Sequence, residues 1–151
     1  MKVPTVFISA GERSGDVHAG ELLKELKRRE KRLKAYALGG ACLKEAGAEI
    51  LYDLPGMAVI GFSEVIRNYA KFRKILKETG RFLEKAKPDA LILVDFPGFN
   101  LRLAEKAKKA GVPVIYYITP QVWAWGENRV QKIKRFVDKA LVILPFEEKY
   151  L

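Results

Sequence analysis

Short apolar segments alternate along the chain with longer segments whose apolar residues recur every three or four positions. The segments that predict β-strands are 2–9, 35–38, 49–52, 90–94, 112–118 and 139–144. The helical pattern covers 41–46, 57–87, 101–110 and 127–136, together with a first helix that is capped by Ser14 or Asp16 and ends near Arg29. This alternation predicts a single α/β domain with a doubly wound, mostly parallel sheet.

The most continuous apolar segment is ALILV at 90–94, which is typical of a parallel strand covered by helices on both faces. Asp95 follows it directly. Ligands of open α/β sheets bind at the carboxyl ends of the strands, so Asp95 is the strongest catalytic candidate. Its carboxylate can accept a proton from a substrate hydroxyl, and burial beside Phe96 and Phe99 would raise its pKa. The alternative is that Asp95 only forms a turn or caps a helix.

The residues after Asp95 predict a turn followed by a helix. Pro97 and Gly98 favour the turn. Asn100 is a candidate cap for a helix that begins at Leu101. Asn100 is also a candidate substrate-binding residue.

The loop AGERSGD at 10–16 lies between the first strand and the first helix. It matches neither GxxxxGK[ST] nor GxGxxG, which excludes the two common nucleotide motifs. A glycine-bearing turn before a helix can still bind an anion through its free backbone N–H groups. The candidate substrate-binding residues here are Glu12, Ser14, Gly15 and Asp16. The two acids disfavour a phosphate, Arg13 partly offsets them, and the alternative is a turn with a helix cap.

The charge of the chain favours anionic partners. Lys and Arg number 28 against 18 Asp and Glu, which gives a net charge of +10. Nucleic acid, phosphorylated small molecules and an acidic membrane surface all fit this excess. The single cysteine, Cys42, excludes an internal disulfide and a multi-thiolate metal site. No apolar run approaches the roughly 18 residues that cross a bilayer, so we expect any membrane contact to be peripheral.

The predicted helix at 57–87 combines apolar residues with a basic flank. Between positions 67 and 87 lie eight basic residues and two acidic ones. Its apolar stripe either packs against the sheet or lies on a membrane, with the basic residues near lipid phosphates. The candidate membrane-contact residues are Phe62, Val65, Ile66, Tyr69 and Phe72.

The segment TPQVWAWGENR at 119–129 is rich in aromatic residues. Trp123 and Trp125 share one face if the chain is extended here. They either fill the edge of the sheet or line a pocket. In the second interpretation Trp123 contacts the substrate, while Arg129 and Lys132, one helical turn apart, face an anionic group.

Six motifs occur in order along the chain. They are GERSGD at 11–16, Gly39-Gly40 with Gly47, MAVIGF at 57–62 with Glu64-Val65, DFP at 95–97 with Phe99-Asn100, TPQVWAW at 119–125 with Arg129, and LPFE at 144–147. Together they resemble the N-terminal half of the lipid-A-disaccharide synthases, glycosyltransferases of GT-B architecture with Rossmann-like domains. Each motif is weak alone, whereas the ordered set is specific.

The resemblance implies transfer of diacylglucosamine from UDP-2,3-diacylglucosamine to 2,3-diacylglucosamine 1-phosphate. The products would be UDP and a β-1,6-linked lipid A disaccharide, formed with inversion and without a cofactor or a required metal. Asp95 falls on the family's proposed general base, which takes the proton of the acceptor 6-hydroxyl. The helix after Gly61 falls on the family's membrane-facing patch, which favours the lipid interpretation and a peripheral location on the cytoplasmic face of the bacterial inner membrane.

The chain departs from the family pattern at Ser63, Gly98 and Gly126, and these differences bear on acceptor or lipid preference. GT-B enzymes bind the nucleotide sugar mainly through a C-terminal domain. We therefore expect a complementary C-terminal domain as a partner, and no transferase activity from the 151 residues alone. One alternative is a non-catalytic module that binds an acylated phosphosugar or an anionic lipid. Nucleic-acid binding rests on charge alone, and the chain lacks an RNA-type aromatic motif or zinc ligands, so we expect no nucleic-acid partner.

Overall fold

The computed structural model describes residues 2–57, 65–118 and 127–141. Of residues 65–68 and 127 it describes the backbone only. The strands are β1 (Thr5–Ala10), β2 (Lys34–Leu38), β3 (Glu49–Tyr52), β4 (Ala90–Val94), β5 (Val114–Tyr117) and β6 (Lys139–Leu141). The helices are α1 (Arg13–Arg29), α2 (Ala41–Glu45), α3 (Leu54–Met57), α4 (Val65–Ala86), α5 (Pro97–Lys109) and α6 (Glu127–Phe136).

The six described strands form one parallel sheet in the order β3-β2-β1-β4-β5-β6. The chain builds outward from β1 to β3 and then crosses back to place β4 on the other side of β1. This reversal makes the gap between β1 and β4 the topological switch point, where open α/β sheets bind their ligands. At its carboxyl edge Ala10 pairs with Val94. The predicted doubly wound fold is confirmed.

Alternate residues of β4 enter two separate cores, because successive side chains of a strand point to opposite faces. Leu91 and Leu93 pack with residues of α4, α5 and α6. Ile92 and Val94 pack with residues of α1 and α2. The four residues are all buried, which explains the uninterrupted apolar run that marks this strand in the sequence.

The cap predicted for α1 is wrong. This helix begins at Arg13, so Ser14 and Asp16 lie inside its first turn. Asp16 is buried and faces α2, where its carboxylate accepts hydrogen bonds from the backbone N–H groups of Gly40 at 2.8 Å and Cys42 at 3.0 Å. Asp16 therefore caps a different helix, 24 residues further along the chain.

The start predicted for α5 is also wrong. This helix begins at Pro97, four residues before Leu101, since proline fits the first helical position, where no N–H donor is required. Asn100 consequently lies within the first turn and is not its cap. Asp53 directly precedes α3, and its carboxylate accepts a hydrogen bond from the N–H of Gly56 at 3.0 Å.

The elements predicted at 49–52, 90–94 and 127–136 occur with the predicted ends, and the other remaining elements occur with shifted ends. The long helical pattern at 57–87 contains α4, and the strand predicted at 112–118 is reduced to β5. The predictions for 58–64, 119–126 and 142–144 lie outside the described residues. Among the helices that are described, none is both long and apolar enough to cross a bilayer.

Candidate functional site

The candidate site lies at the carboxyl edge of the sheet, where Asp95 directly follows β4 beside the end of β1. Its side chain is half-buried. Burial raises the pKa of the Asp95 carboxyl, although a hydrogen bond from the backbone N–H of Phe96 acts in the opposite direction. A carboxylate with a raised pKa is a stronger proton acceptor, so the environment suits a general base.

The backbone at Asp95 adopts an uncommon conformation. Asp95 and Phe96 have φ values of 46° and 47°, in the left-handed region that non-glycine residues seldom occupy. Ile118, at the end of the adjacent β5, also has a positive φ, of 57°. The N–H of Asp95 donates to the carbonyl of Ile118 at 3.2 Å. Strained residues of this kind cluster at functional sites.

Two side chains on the buried side of Asp95 donate hydrogen bonds to its carbonyl oxygen. The amide Nδ2 of Asn100 donates to it at 2.7 Å, and the hydroxyl of Tyr116 donates to it at 2.5 Å. Both side chains are buried. Asn100 was predicted to bind substrate, and the structure places it beneath Asp95 with no exposed surface.

A third buried residue completes this group. The hydroxyl of Ser9, on β1, donates to Oδ1 of Asn100 at 2.6 Å, while Nδ2 of Asn100 also lies 3.2 Å from the carbonyl of Ser9. The side chain of Asn100 therefore connects the ends of β1 and β4. We call Ser9, Asn100 and Tyr116 the support triad.

Phe96 closes the site on the side of the first loop. Its ring occupies the space next to Gly11, where a β-carbon would lie 2.0 Å from the ring. The same ring packs on Phe72 of α4 and Phe99 of α5, with centroid distances of 6.1 and 6.2 Å. The residue after the catalytic candidate thus joins the loop after β1 to two helices.

An apolar pocket of about 270 Å³ lies between α4 and α5 beside Phe96. Its lining consists of Tyr69, Phe72, Arg73, Leu76, Phe96, Gly98, Phe99 and Arg102. Of the candidate membrane-contact residues, Tyr69 is 59% exposed, whereas Phe72 is half-buried against the phenylalanines. Phe62 and the side chains of Val65 and Ile66 lie outside the description. The two arginines place positive charge beside an apolar surface.

The first loop brings only part of its candidate residues to the site. Glu12 and Ser14 are exposed at the start of α1. Gly15 is buried, and a β-carbon there would be in ordinary contact with Val94, at 3.5 Å. Asp16 faces α2 instead of the edge near Asp95, because its carboxylate is used by the backbone of that helix.

Arg129 lies on α6 within electrostatic range of Tyr116. The pKa of the Tyr116 hydroxyl is raised well above its ordinary value, mainly by burial and secondly by the charge of Asp95, while a hydrogen bond with Asn100 and the charge of Arg129 oppose that rise. Lys132 is exposed and lines a separate basic cleft with Arg135. Trp123 lies outside the described residues.

Sequence reasoning did not find Ser9, Gly11, Arg73, Arg102 or Tyr116 as site residues. For Arg102 a signal was available, since it is a basic residue in the helix that directly follows Asp95. For Ser9 and Tyr116 the only signal was a polar atom near the carboxyl end of a predicted central strand.

Comparison with known proteins identifies relatives over nearly the whole chain. A family model described as "Lipid-A-disaccharide synthetase" matches residues 6–151. The lipid-A-disaccharide synthase of Myxococcus xanthus is 47% identical over 147 residues, which cover 97% of this chain and 38% of the relative. That of Coxiella burnetii is 41% identical, over 99% of this chain and 40% of the relative. The chain spans about two-fifths of the length of the curated relatives it matches.

Solved structures with low sequence identity share the fold. A putative UDP-N-acetylglucosamine 2-epimerase from Listeria monocytogenes has a TM-score of 0.70 at 10% identity, over 99% of this chain and 42% of its own. Acinetobacter baumannii MurG has a TM-score of 0.59 at 15% identity, over 95% and 42%. These likenesses support the Rossmann-like, GT-B type of domain predicted from the sequence.

Proposed function

The chain belongs to the lipid-A-disaccharide synthetase family, and from this premise we propose that it forms the acceptor-binding half of a glycosyltransferase. The proposed reaction transfers diacylglucosamine from UDP-2,3-diacylglucosamine to 2,3-diacylglucosamine 1-phosphate. The observation that carries the proposal is the position of Asp95, half-buried at the switch point of the sheet with a raised carboxyl pKa.

Asp95 is the proposed general base. The oxygen of the acceptor 6-hydroxyl forms a bond to the anomeric carbon of the donor while the bond from that carbon to UDP breaks. The hydroxyl proton passes to the Asp95 carboxylate, and UDP leaves with the bonding electrons. A single displacement inverts the anomeric carbon and gives the β-1,6 linkage. A carboxylate whose pKa is raised by burial accepts this proton more readily.

The apolar pocket between α4 and α5 is an argument for an acceptor that carries acyl chains. Its aromatic wall includes Phe96, the residue that follows Asp95 in the chain. Arg73 and Arg102 belong to the same lining. An acyl chain gains about 0.8 kcal/mol for each buried CH₂ group, and guanidinium groups bind phosphates well. We assign this side of the domain to the acylated acceptor and to the membrane surface, with Phe62, Val65, Ile66, Tyr69 and Phe72 as the contact residues.

We propose that five of the candidate residues bind the sugar and phosphate groups. They are Glu12, Ser14, Gly15, Trp123 and Arg129. Asp16 and Asn100 are left out of this set, because Asp16 caps α2 and Asn100 is buried beneath Asp95. We assign the UDP-sugar mainly to a complementary C-terminal domain, so that the reaction takes place between two domains. The enzyme would work in the cytoplasm, peripherally on the inner membrane.

A fusion protein tests the proposal. The chain is joined to the remaining part of the Myxococcus xanthus relative, and this chimera is compared with the chain alone for disaccharide formation from the two substrates. We expect turnover by the chimera and none by the chain alone. A chimera that is folded and binds UDP but forms no disaccharide would contradict the proposed function.

The pocket also favours a second candidate function, that of a non-catalytic module that binds an acylated phosphosugar. An apolar cavity of about 270 Å³ with two arginines in its lining would serve such binding without any chemistry. This candidate predicts that the chain alone binds diacylglucosamine 1-phosphate while the chimera remains inactive.

A further inference from the structure

We propose that the support triad of Ser9, Asn100 and Tyr116 consists of positioning residues that fix the direction of the Asp95 carboxylate without touching substrate. This inference rests on the proposed role of Asp95 as general base. It assigns to Asn100 a function beneath the site, in place of the substrate contact predicted from the sequence.

The backbone at Asp95 and Phe96 has an unfavourable conformation that other residues must stabilise. Asp95 and Phe96 are consecutive residues with φ values of 46° and 47°. Neither is glycine, and the left-handed region is unfavourable for residues that carry a β-carbon. Two such residues in succession persist only where surrounding contacts impose the conformation. The direction of the Asp95 side chain depends on this backbone geometry.

Several hydrogen bonds hold the peptide that joins Asp95 to Phe96 and the carbonyl of Phe96. A carbonyl oxygen has two lone pairs, and that of Asp95 accepts from Nδ2 of Asn100 at 2.7 Å and from the hydroxyl of Tyr116 at 2.5 Å. The backbone N–H of Asn100 also donates to the carbonyl of Phe96 at 3.0 Å. Asn100 therefore holds both left-handed residues.

Strand pairing fixes the positions of Ser9 and Tyr116 of the support triad. Ser9 pairs with Leu93 across β1 and β4, and Leu93 pairs in turn with Tyr116 across β4 and β5. The Ser9 hydroxyl donates to Oδ1 of Asn100 at 2.6 Å, which turns Nδ2 toward the carbonyls at the end of β4. The Asp95 carbonyl, at the end of β4, is thus connected to β5 by Tyr116 and to β1 by Asn100 and Ser9.

The support triad is buried and does not contact the substrate. Ser9, Asn100 and Tyr116 are each 0% exposed. Burial also raises the pKa of the Tyr116 hydroxyl well above its ordinary value, so the hydroxyl keeps its proton and remains a donor. Groups with no exposed surface do not touch the substrate, and their hydrogen bonds lead to the backbone of Asp95.

The test uses the chimera with Tyr116→Phe, which removes one hydroxyl, and with Asn100→Asp, which removes the amide donors at nearly constant shape. Thr79→Val is the matched control, since Thr79 is fully buried on α4 and its hydroxyl has no hydrogen-bond partner among the described residues. The measurements are kcat, KM and the pKa of the Asp95 carboxyl from an NMR titration.

A catalytic group displaced by about 1 Å can lose on the order of 10²-fold in rate, so we expect Tyr116→Phe to lower kcat by roughly 10- to 100-fold. KM should stay within about threefold. The Asp95 pKa should fall toward its ordinary value in Tyr116→Phe, because a released carboxyl reaches solvent. In Asn100→Asp, kcat should fall in the same range.

A kcat within twofold of the unsubstituted chimera for both variants would overturn the inference. So would a rise of KM with kcat unchanged, because this would mean that the residues bind substrate. The proposed function is judged separately, since it fails only if the unsubstituted chimera itself is inactive.

Discussion

The ring of Phe96 occupies the space beside Gly11, where a β-carbon would lie 2.0 Å from Cδ1 of that ring. The residue adjacent to the catalytic candidate is thereby pressed against the loop that follows β1. Because Phe96 itself has a left-handed backbone, a shift of its ring would be transmitted to Asp95.

Gly11→Ala should therefore destabilise the domain and reduce turnover. Overpacking of a buried position usually costs about 1–3 kcal/mol, so the thermal midpoint should fall measurably. Differential scanning calorimetry and the chimera assay check the two effects. Gly98→Ala is the matched control for stability, since a β-carbon there meets nothing within 4 Å and alanine favours the helix α5. A Gly11→Ala variant as stable as native protein would contradict this packing.

Removing the carboxylate of Asp16 should unfold α2 locally and lower overall stability. Its oxygens accept from three backbone N–H groups, those of Gly40, Cys42 and Leu43. A buried donor left without a partner costs about 1–3 kcal/mol, so Asp16→Ala should lower the free energy of unfolding by at least that amount. Asp16→Asn keeps one acceptor oxygen and should cost less. Equal stability of both variants and the native chain in urea unfolding would show that the cap is unimportant.

The raised pKa of the Asp95 carboxyl predicts how stability depends on pH. The folded protein holds this proton more tightly than the unfolded chain does. The stabilisation from the protonated form is complete below the unfolded pKa and is lost as pH rises through the folded pKa. Above that pH the charged, half-buried carboxylate is unfavourable, so Asp95→Asn should have the higher thermal midpoint at neutral pH.

The advantage of Asp95→Asn should shrink as pH is lowered toward the ordinary range of an aspartate. Thermal midpoints of both proteins between about pH 4 and 8 provide the check. A native protein that is more stable than Asp95→Asn at neutral pH would indicate that the carboxylate is paired rather than desolvated.

The arginines of the α4–α5 pocket should strengthen binding to anionic lipid. A basic residue near an anionic surface contributes about 1 kcal/mol, so replacing both Arg73 and Arg102 by glutamine should weaken binding by roughly 10- to 30-fold. Vesicles with and without phosphatidylglycerol separate the charge effect from the apolar one. The matched control replaces Lys31 and Arg32, two exposed basic residues before β2 at the opposite edge of the sheet. Equal loss for both pairs would contradict a specific role of the pocket.

The central strand and Asp95 were predictable because their signal is local. A run of five apolar residues followed by one acid identifies a buried strand and its carboxyl end without knowledge of any partner. The apolar residues that recur every three or four positions likewise identify the helices that cover the two faces of the sheet.

The roles of Asp16 and Asn100 were not predictable, because their partners are distant in the sequence. Both residue types are good helix caps, and local rules assigned each to the nearest helix start. In the structure, Asp16 caps the helix α2, and Asn100 bonds Ser9, 91 residues earlier. Which distant groups they meet depends on the strand register, since Ser9 and the end of β4 are adjacent only after the parallel pairing of β1 and β4.

The most direct test of the account is the effect of Asp95→Asn on disaccharide formation by the chimera, measured as kcat at saturating acceptor with UDP binding as a check of folding. Loss of a general base typically costs about 10²- to 10⁴-fold, and we predict a fall in this range with acceptor binding retained. The native chimera should also lose activity at acid pH as Asp95 becomes protonated. Turnover by Asp95→Asn at the native rate, from a folded protein that binds both substrates, would contradict the assignment of Asp95 as the base.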